Sequence, residues 1–139
     1  MVLNRYGYVV KEHWLKTMEL RKNIVLDKFI IMPDHVHGIV VITKDNVIPE
    51  PLFNKIKKVA PFKSPHETLG SIVRRFKASS TSALKGLNPI VGEKVWQTNY
   101  YDTIIRDKEH LNRIRGYIIQ NPRNYIKPQL DKIWNNFVK

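Results

Sequence analysis

The feature that most limits how this chain can fold is a pair of apolar runs separated by three residues. The first run spans Val25 to Ile31 and the second spans His35 to Ile42. Branched and aromatic side chains favour extended backbone, so each run predicts a β-strand. Met32-Pro33-Asp34 interrupts them, and Pro33 cannot donate a hydrogen bond to a neighbouring strand. The sequence therefore predicts a bulge or a turn at that point.

One helix is predicted before these strands and one after them. Residues 9–20 carry apolar side chains at helical spacing. Further along, Ser64, Pro65 and Glu67 have the residue types of an N-cap and a capping box, and an apolar stripe follows. Between the strands and this helix, residues 43–63 hold several prolines and lysines, and they predict a flexible basic loop.

The C-terminal part predicts one more strand region and one more helix. Residues 94–105 are predicted to be extended. Asp107 can cap a helix over about residues 108–120, which Pro122 is expected to end. Strands and helices mixed without regular alternation predict an α+β domain with a mainly antiparallel sheet and helices packed on it.

The charge of the chain indicates its partner. Lys and Arg number 24 against 12 Asp and Glu, which gives a net charge of +12 in 139 residues. A length of this order suits one domain over 1–139, and a compact domain this basic favours a polyanion, above all nucleic acid. A basic surface without such a function is the alternative interpretation.

Other functions and locations are limited by what the sequence lacks. The chain has no cysteine, which excludes disulfides and thiolate chemistry. Its apolar runs stay far below the roughly 20 residues that span a bilayer, and its first residues lack the apolar core of a signal peptide. We expect a cytoplasmic protein without a membrane partner.

His35 and His37 are the first candidate site residues. Side chains two apart on a strand point to the same face, so the two imidazoles can converge on one metal ion. Two unrelated surface histidines are the alternative interpretation.

Tyr117 and Asn121 are the second pair, because they lie one turn apart on the last predicted helix. A tyrosine hydroxyl can attack a phosphodiester, although only about one in a thousand is ionised at neutral pH, so it needs help from a metal or a base. An Asn amide oxygen suits Mg²⁺ or Mn²⁺ and can join the histidines as a third ligand. A core tyrosine and a helix-end asparagine are the alternative.

Four segments of the chain, in this order, resemble the HUH single-tyrosine transposases, especially the REP-associated tyrosine transposases and their insertion-sequence relatives. These segments are Phe29 to Val40, Leu69 to Lys77, Val95 to Asp102 and Tyr117 to Pro122. The resemblance implies a ferredoxin-like antiparallel sheet with helices packed on it. It also implies a metal held by His35, His37 and Asn121, and a nucleophile at Tyr117.

The resemblance further implies the reaction. Single-stranded DNA with a hairpin structure would be cleaved beside the hairpin, with a divalent metal, Mg²⁺ or Mn²⁺, as the cofactor. A 5′-phosphotyrosine would form and a 3′-hydroxyl would leave, and the reverse reaction would rejoin the strand. Arg74, Arg75 and Lys77 are candidate phosphate contacts, and Trp96, Tyr100 and Tyr101 are candidates for base stacking or for the core.

One departure from the family leaves alternatives open. The family has a further strand before the segment that opens this chain, so we expect the sheet to lack that strand or to obtain it from elsewhere. The first residues of the chain or a partner chain could replace it. The resemblance separately allows a homodimer in which the histidines of one chain serve the tyrosine of another. A decayed, non-enzymatic nucleic-acid-binding module and a phosphodiesterase that uses water remain alternative functions.

Overall fold

The computed structural model describes residues 2–43, 68–89 and 94–137 of the chain. In chain order its elements are α1 Arg5–Glu19, β1 Ile24–Ile31, β2 Val36–Ile42, α2 Leu69–Leu87 and α3 Lys108–Phe137. The two strands pair antiparallel, so the predicted α+β class with an antiparallel sheet is confirmed. A ferredoxin-like arrangement is compatible with these elements and stays a prediction. The predicted flexible loop lies outside the described residues, apart from Thr43.

The two strands form a hairpin whose turn lies at the predicted interruption. The Met32 amide donates to the His35 carbonyl at 2.8 Å. Pro33 therefore occupies a position between the strands, where its missing N–H costs no ladder hydrogen bond.

A β-bulge in β1 changes which side chains face each side of the hairpin. The paired residues are Leu26 with Val40 and then Phe29 with Gly38. Two residues of β1 thus oppose one residue of β2, and the extra residue shifts the alternation of side chains. As a result Asp27 points to the face of the sheet that α3 covers, where it contacts Arg115.

The opposite face of the hairpin packs on α1 and α2 around Trp14. The Trp14 ring centre lies 5.1 Å from that of Phe76 on α2 and 6.2 Å from that of Phe29 on β1. A Cβ atom placed on Gly38 would overlap the Trp14 ring. Glycine is therefore required in β2 at this point because the indole lies directly on the backbone.

Helix α3 covers the other face. Its buried side chains Leu111 and Ile118 pack on Ile39 of β2, and the Arg115 guanidinium forms an ion pair with Asp27 of β1. The helix begins as the sequence predicts, because the Asp107 carboxylate accepts from the His110 amide at 2.7 Å.

Proline does not end α3, which corrects the sequence prediction. The helix continues through Pro122 to Phe137. A proline inside a helix removes one backbone hydrogen bond and costs about 3 kcal/mol. Packing on both sides offsets this cost, because Asn121 is buried and Tyr125, one turn later, lies against His35.

Two other predictions are wrong in detail. Residues 94–105 are irregular rather than a strand. The backbone carbonyls of Gln97 and Asn99 accept from the Lys77 ammonium of α2 instead of from a neighbouring strand. Helix α2 has Thr68 as its N-cap, with the Thr68 hydroxyl accepting from the Ser71 amide at 3.2 Å. The predicted capping residues Ser64, Pro65 and Glu67 lie outside the described residues.

Candidate active site

The two histidines of the predicted pair lie side by side at the start of β2. Their ring centres are 4.7 Å apart and the rings are inclined at 75°. Strand alternation directs Val36 into the core with Trp14, whereas His37 faces α3. The spacing of one residue between the histidines therefore brings both imidazoles to one place, as the sequence predicts.

Asp34 fixes one ring of the pair. Its carboxylate oxygen accepts a hydrogen bond from the His35 Nδ1 at 2.6 Å. Because the carboxylate holds the proton on Nδ1, the lone pair of His35 is on Nε2 and is free to bind a ligand. The sequence pattern predicts no chemical role for this aspartate, although carboxylates commonly orient metal-binding histidines in this way.

The environment of His37 favours its neutral form. Burial lowers the pKa of the His37 imidazole below its ordinary value, and the nearby His35 lowers it further. A neutral imidazole has the lone pair that a metal ion requires, so the desolvation of His37 prepares it to act as a ligand.

Tyr117 reaches this pair from α3. Its ring centre lies 5.3 Å from that of His37, at 76°, and the side chain is 50% exposed. The two residues are far apart in sequence, and the packing of α3 on the sheet brings them together. About half of the Tyr117 surface is therefore accessible from outside the protein.

The same face of α3 contributes two further residues. Asn121 follows Tyr117 by one helical turn and is 7% exposed. Tyr125 follows by another turn, and its ring centre lies 6.2 Å from that of His35. Sequence reasoning missed Tyr125, because the helix was expected to end at Pro122. The spacing of four residues from Asn121 was the signal that could have found it.

These side chains suit a divalent metal chemically. His35 and His37 offer two imidazole nitrogens, and Asn121 offers an amide oxygen from the adjacent helix face. In the described ranges there is no group of three or more His, Cys, Asp or Glu side chains that could hold a metal. The Asn121 amide is the third protein ligand that the sequence predicts, and these metal-binding roles stay predictions.

The predicted phosphate contacts are not beside this cluster. Arg74 and Arg75 are exposed on α2, which belongs to the core on the opposite face of the sheet. The Lys77 ammonium donates to the Gln97 carbonyl at 2.8 Å and to the Asn99 carbonyl at 2.9 Å. Lys77 thus already has two backbone acceptors, and its contact with DNA stays a prediction.

Comparison with known proteins gives the chain a family. It is 39% identical over 132 residues to an uncharacterized protein of Haemophilus influenzae. The aligned region covers 94% of this chain and 72% of that protein. The chain belongs to the same family as that protein. No protein-family model and no solved structure matches the chain.

Within the described residues, no helix is long and apolar enough to cross a membrane.

Proposed function

We propose that this protein is a metal-dependent single-stranded DNA transposase of the HUH single-tyrosine type, which cleaves and rejoins DNA through Tyr117. The observation that carries the proposal is the 5.3 Å separation between the rings of His37 and Tyr117. A histidine pair and a half-exposed tyrosine from separate elements meet there, and this combination suits nucleophilic attack on a phosphodiester.

The reaction requires one bond to form and one to break. The Tyr117 oxygen attacks the scissile phosphorus, and the bond from phosphorus to the 3′-oxygen breaks. The phenol proton is released as the 3′-oxygen leaves and takes up a proton, so the products are a 5′-phosphotyrosine and a free 3′-hydroxyl. Attack by a 3′-hydroxyl reverses these steps, and rejoining needs no nucleotide cofactor because the phosphodiester energy is conserved.

His35, His37 and Asn121 would hold the metal in this proposal. When bound, a divalent cation would supply neutralisation of the charge that develops on the phosphate oxygens. The residues of the chain prepare the site for this role, because Asp34 orients the His35 ring and burial lowers the pKa of His37, which favours its neutral form. Mn²⁺ and Mg²⁺ are the ions proposed, since the donor set includes an amide oxygen.

The substrate class is supported by charge and by the resemblance of four ordered segments. A net charge of +12 suits a polyanion. The segments that resemble the transposases include the two that carry His35, His37 and Tyr117. DNA with a hairpin beside the cleavage site is therefore the substrate that we propose.

An end-labelled substrate tests the proposal. The purified chain is incubated with Mn²⁺ and single-stranded hairpin DNA from the region that flanks its own coding sequence. A label at the 3′ end should become attached to the protein and survive denaturation, whereas a label at the 5′ end should leave with a free 3′-hydroxyl. Tyr117→Phe should abolish the attachment, and Tyr8→Phe, an exposed tyrosine on α1, should leave it unchanged.

The other possible functions give different results in the same assay. DNA binding without either product indicates a non-enzymatic binding module. Many cleaved strands for each protein, without a covalent adduct, indicate a phosphodiesterase that uses water. An undiminished amount of covalent protein–DNA adduct with Tyr117→Phe would contradict Tyr117 as the nucleophile.

A further inference from the structure

The segment 97–101 is held against α2 by one lysine side chain. Lys77 donates from Nζ to the backbone carbonyls of Gln97 and Asn99, at 2.8 and 2.9 Å. Residues 94–106 contain no strand, so these two bonds supply carbonyl partners that a sheet would otherwise provide. The backbone that carries the following tyrosines is therefore fixed to the helix.

Tyr100 lies along a stripe of α2 that also carries an exposed positive charge. A Cβ atom placed on Gly70 would lie 3.4 Å from the Tyr100 hydroxyl, and the Lys77 ammonium lies 5.9 Å from the centre of the Tyr100 ring. Gly70, Arg74 and Lys77 follow one another at intervals of one helical turn and share one face. The exposed Arg74 is thus on the stripe along which Tyr100 extends.

The three aromatic residues of this region have different environments. Trp96 is a core residue, because its ring packs 5.3 Å from Phe76 and its Nε1 donates to the buried Ser80 hydroxyl at 3.0 Å. Tyr100 is 41% exposed, and the side chain of Tyr101 is fully exposed. Core packing therefore accounts for Trp96 but not for Tyr101.

An open groove lies between α2 and residues 94–97, which lead into this segment. Its volume is about 320 Å³, and its lining includes Lys77, Thr81, Lys94 and Trp96. The Lys94 side chain beside the partly buried Trp96 ring favours an anionic ligand with flat, apolar parts. Nucleic acid has both properties, since its phosphates are anionic and each of its bases has a π-face.

We propose that Arg74, Lys77, Tyr100 and Tyr101 form a binding surface for unpaired nucleic acid, which we call the Tyr101 surface. A base stacks on the exposed Tyr101 ring, and the adjacent phosphate lies beside Arg74. Lys77 acts as a positioning residue that holds the segment, rather than as a phosphate contact. The choice of a nucleic-acid ligand rests on the proposed function and on the charge of +12.

Fluorescence of a stacked base tests this inference without any need for cleavage. The full chain is titrated, without divalent metal, into single-stranded oligothymidine that contains one 2-aminopurine, whose emission falls when it stacks. We expect quenching, with affinity that falls as salt rises. Tyr101→Leu should weaken binding by about 5- to 100-fold and remove the quenching, since stacking contributes about that much for each base.

Two variants serve as controls. Tyr101→Phe keeps the aromatic ring and should bind as the wild type does. Tyr8→Leu removes an exposed tyrosine from α1 and should also leave binding unchanged. Wild-type protein that does not quench the probe, or Tyr101→Leu protein that binds it normally, would overturn the inference. If Tyr101→Leu changes the oligomeric mass measured by light scattering but not DNA binding, the surface serves protein association, and this result would also overturn the inference.

The adduct assay separates this inference from the proposed function. A covalent adduct together with unchanged binding in Tyr101→Leu overturns the Tyr101 surface and leaves the transposase proposal intact. Binding that depends on Tyr101, without any adduct, supports the Tyr101 surface and contradicts the cleavage reaction.

Discussion

Arg115 of α3 and Asp27 of β1 form an ion pair in which Nε and Nη2 both lie 2.7 Å from the same carboxylate oxygen. The side chains are 32% and 15% exposed, respectively. Arg115 precedes Tyr117 by two residues, and Asp27 reaches it because of the bulge in β1. The pair therefore anchors the part of α3 that carries the proposed nucleophile to the hairpin that carries His37.

Breaking this pair should weaken the fold. We expect Arg115→Met to lower the free energy of unfolding by about 2 kcal/mol, because the partly buried Asp27 carboxylate loses a charged partner. Urea denaturation followed by circular dichroism measures the change. Arg113→Met removes an exposed arginine from the same helix and should change stability by less than about 0.5 kcal/mol. Equal stability of the two variants would contradict the anchoring role.

Gly38 should tolerate no side chain. We expect Gly38→Ala to lower the free energy of unfolding by about 1–3 kcal/mol, because the new methyl group would overlap the Trp14 ring. Gly86→Ala is the matched control, since a Cβ there has no neighbour within 4 Å. Alanine favours the helix at that position and should raise stability by about 0.5–1 kcal/mol. Thermal unfolding distinguishes the two, and a stabilised Gly38→Ala protein would show that the indole does not lie on this glycine.

Metal affinity should depend on the aspartate that orients His35. We expect Asp34→Asn to weaken Mn²⁺ binding by about 10- to 100-fold, because a carboxylate that holds a ligand histidine contributes that much. Electron paramagnetic resonance of free Mn²⁺ measures the affinity directly. Asp102→Asn changes an exposed aspartate elsewhere and should have no effect. If His37→Ala binds Mn²⁺ as tightly as the wild type does, the metal site is not at this pair.

Local sequence pattern was enough to predict two strands, with a bulge or a turn between them, and the convergence of two side chains. The alternation of a strand fixes His35 and His37 to one side, and the structure places their rings 4.7 Å apart. The start of α3 at Asp107 follows from its capping chemistry in the same way. These features depend on residues that are close in sequence, so no knowledge of the tertiary structure was needed.

Features that depend on distant residues could not be predicted. The contact between Asp27 and Arg115 joins residues that are 88 apart in sequence. It also requires the bulge in β1, which the apolar pattern of that strand does not predict. Pro122 predicts a helix end from local geometry alone, whereas packing of Asn121 and Tyr125 sustains the helix. The role of Lys77 depends on backbone carbonyls 20 and 22 residues away.

Mass spectrometry of the protein–DNA adduct tests the central proposal most directly. The chain is incubated with single-stranded hairpin DNA and Mn²⁺, digested with protease and nuclease, and searched for a peptide that carries a nucleotide. We expect the nucleotide on Tyr117, joined through its 5′-phosphate, whereas Tyr125 in the same digest should be unmodified. A nucleotide found on Tyr125 or on another residue, or cleavage without any modified peptide, would contradict the account.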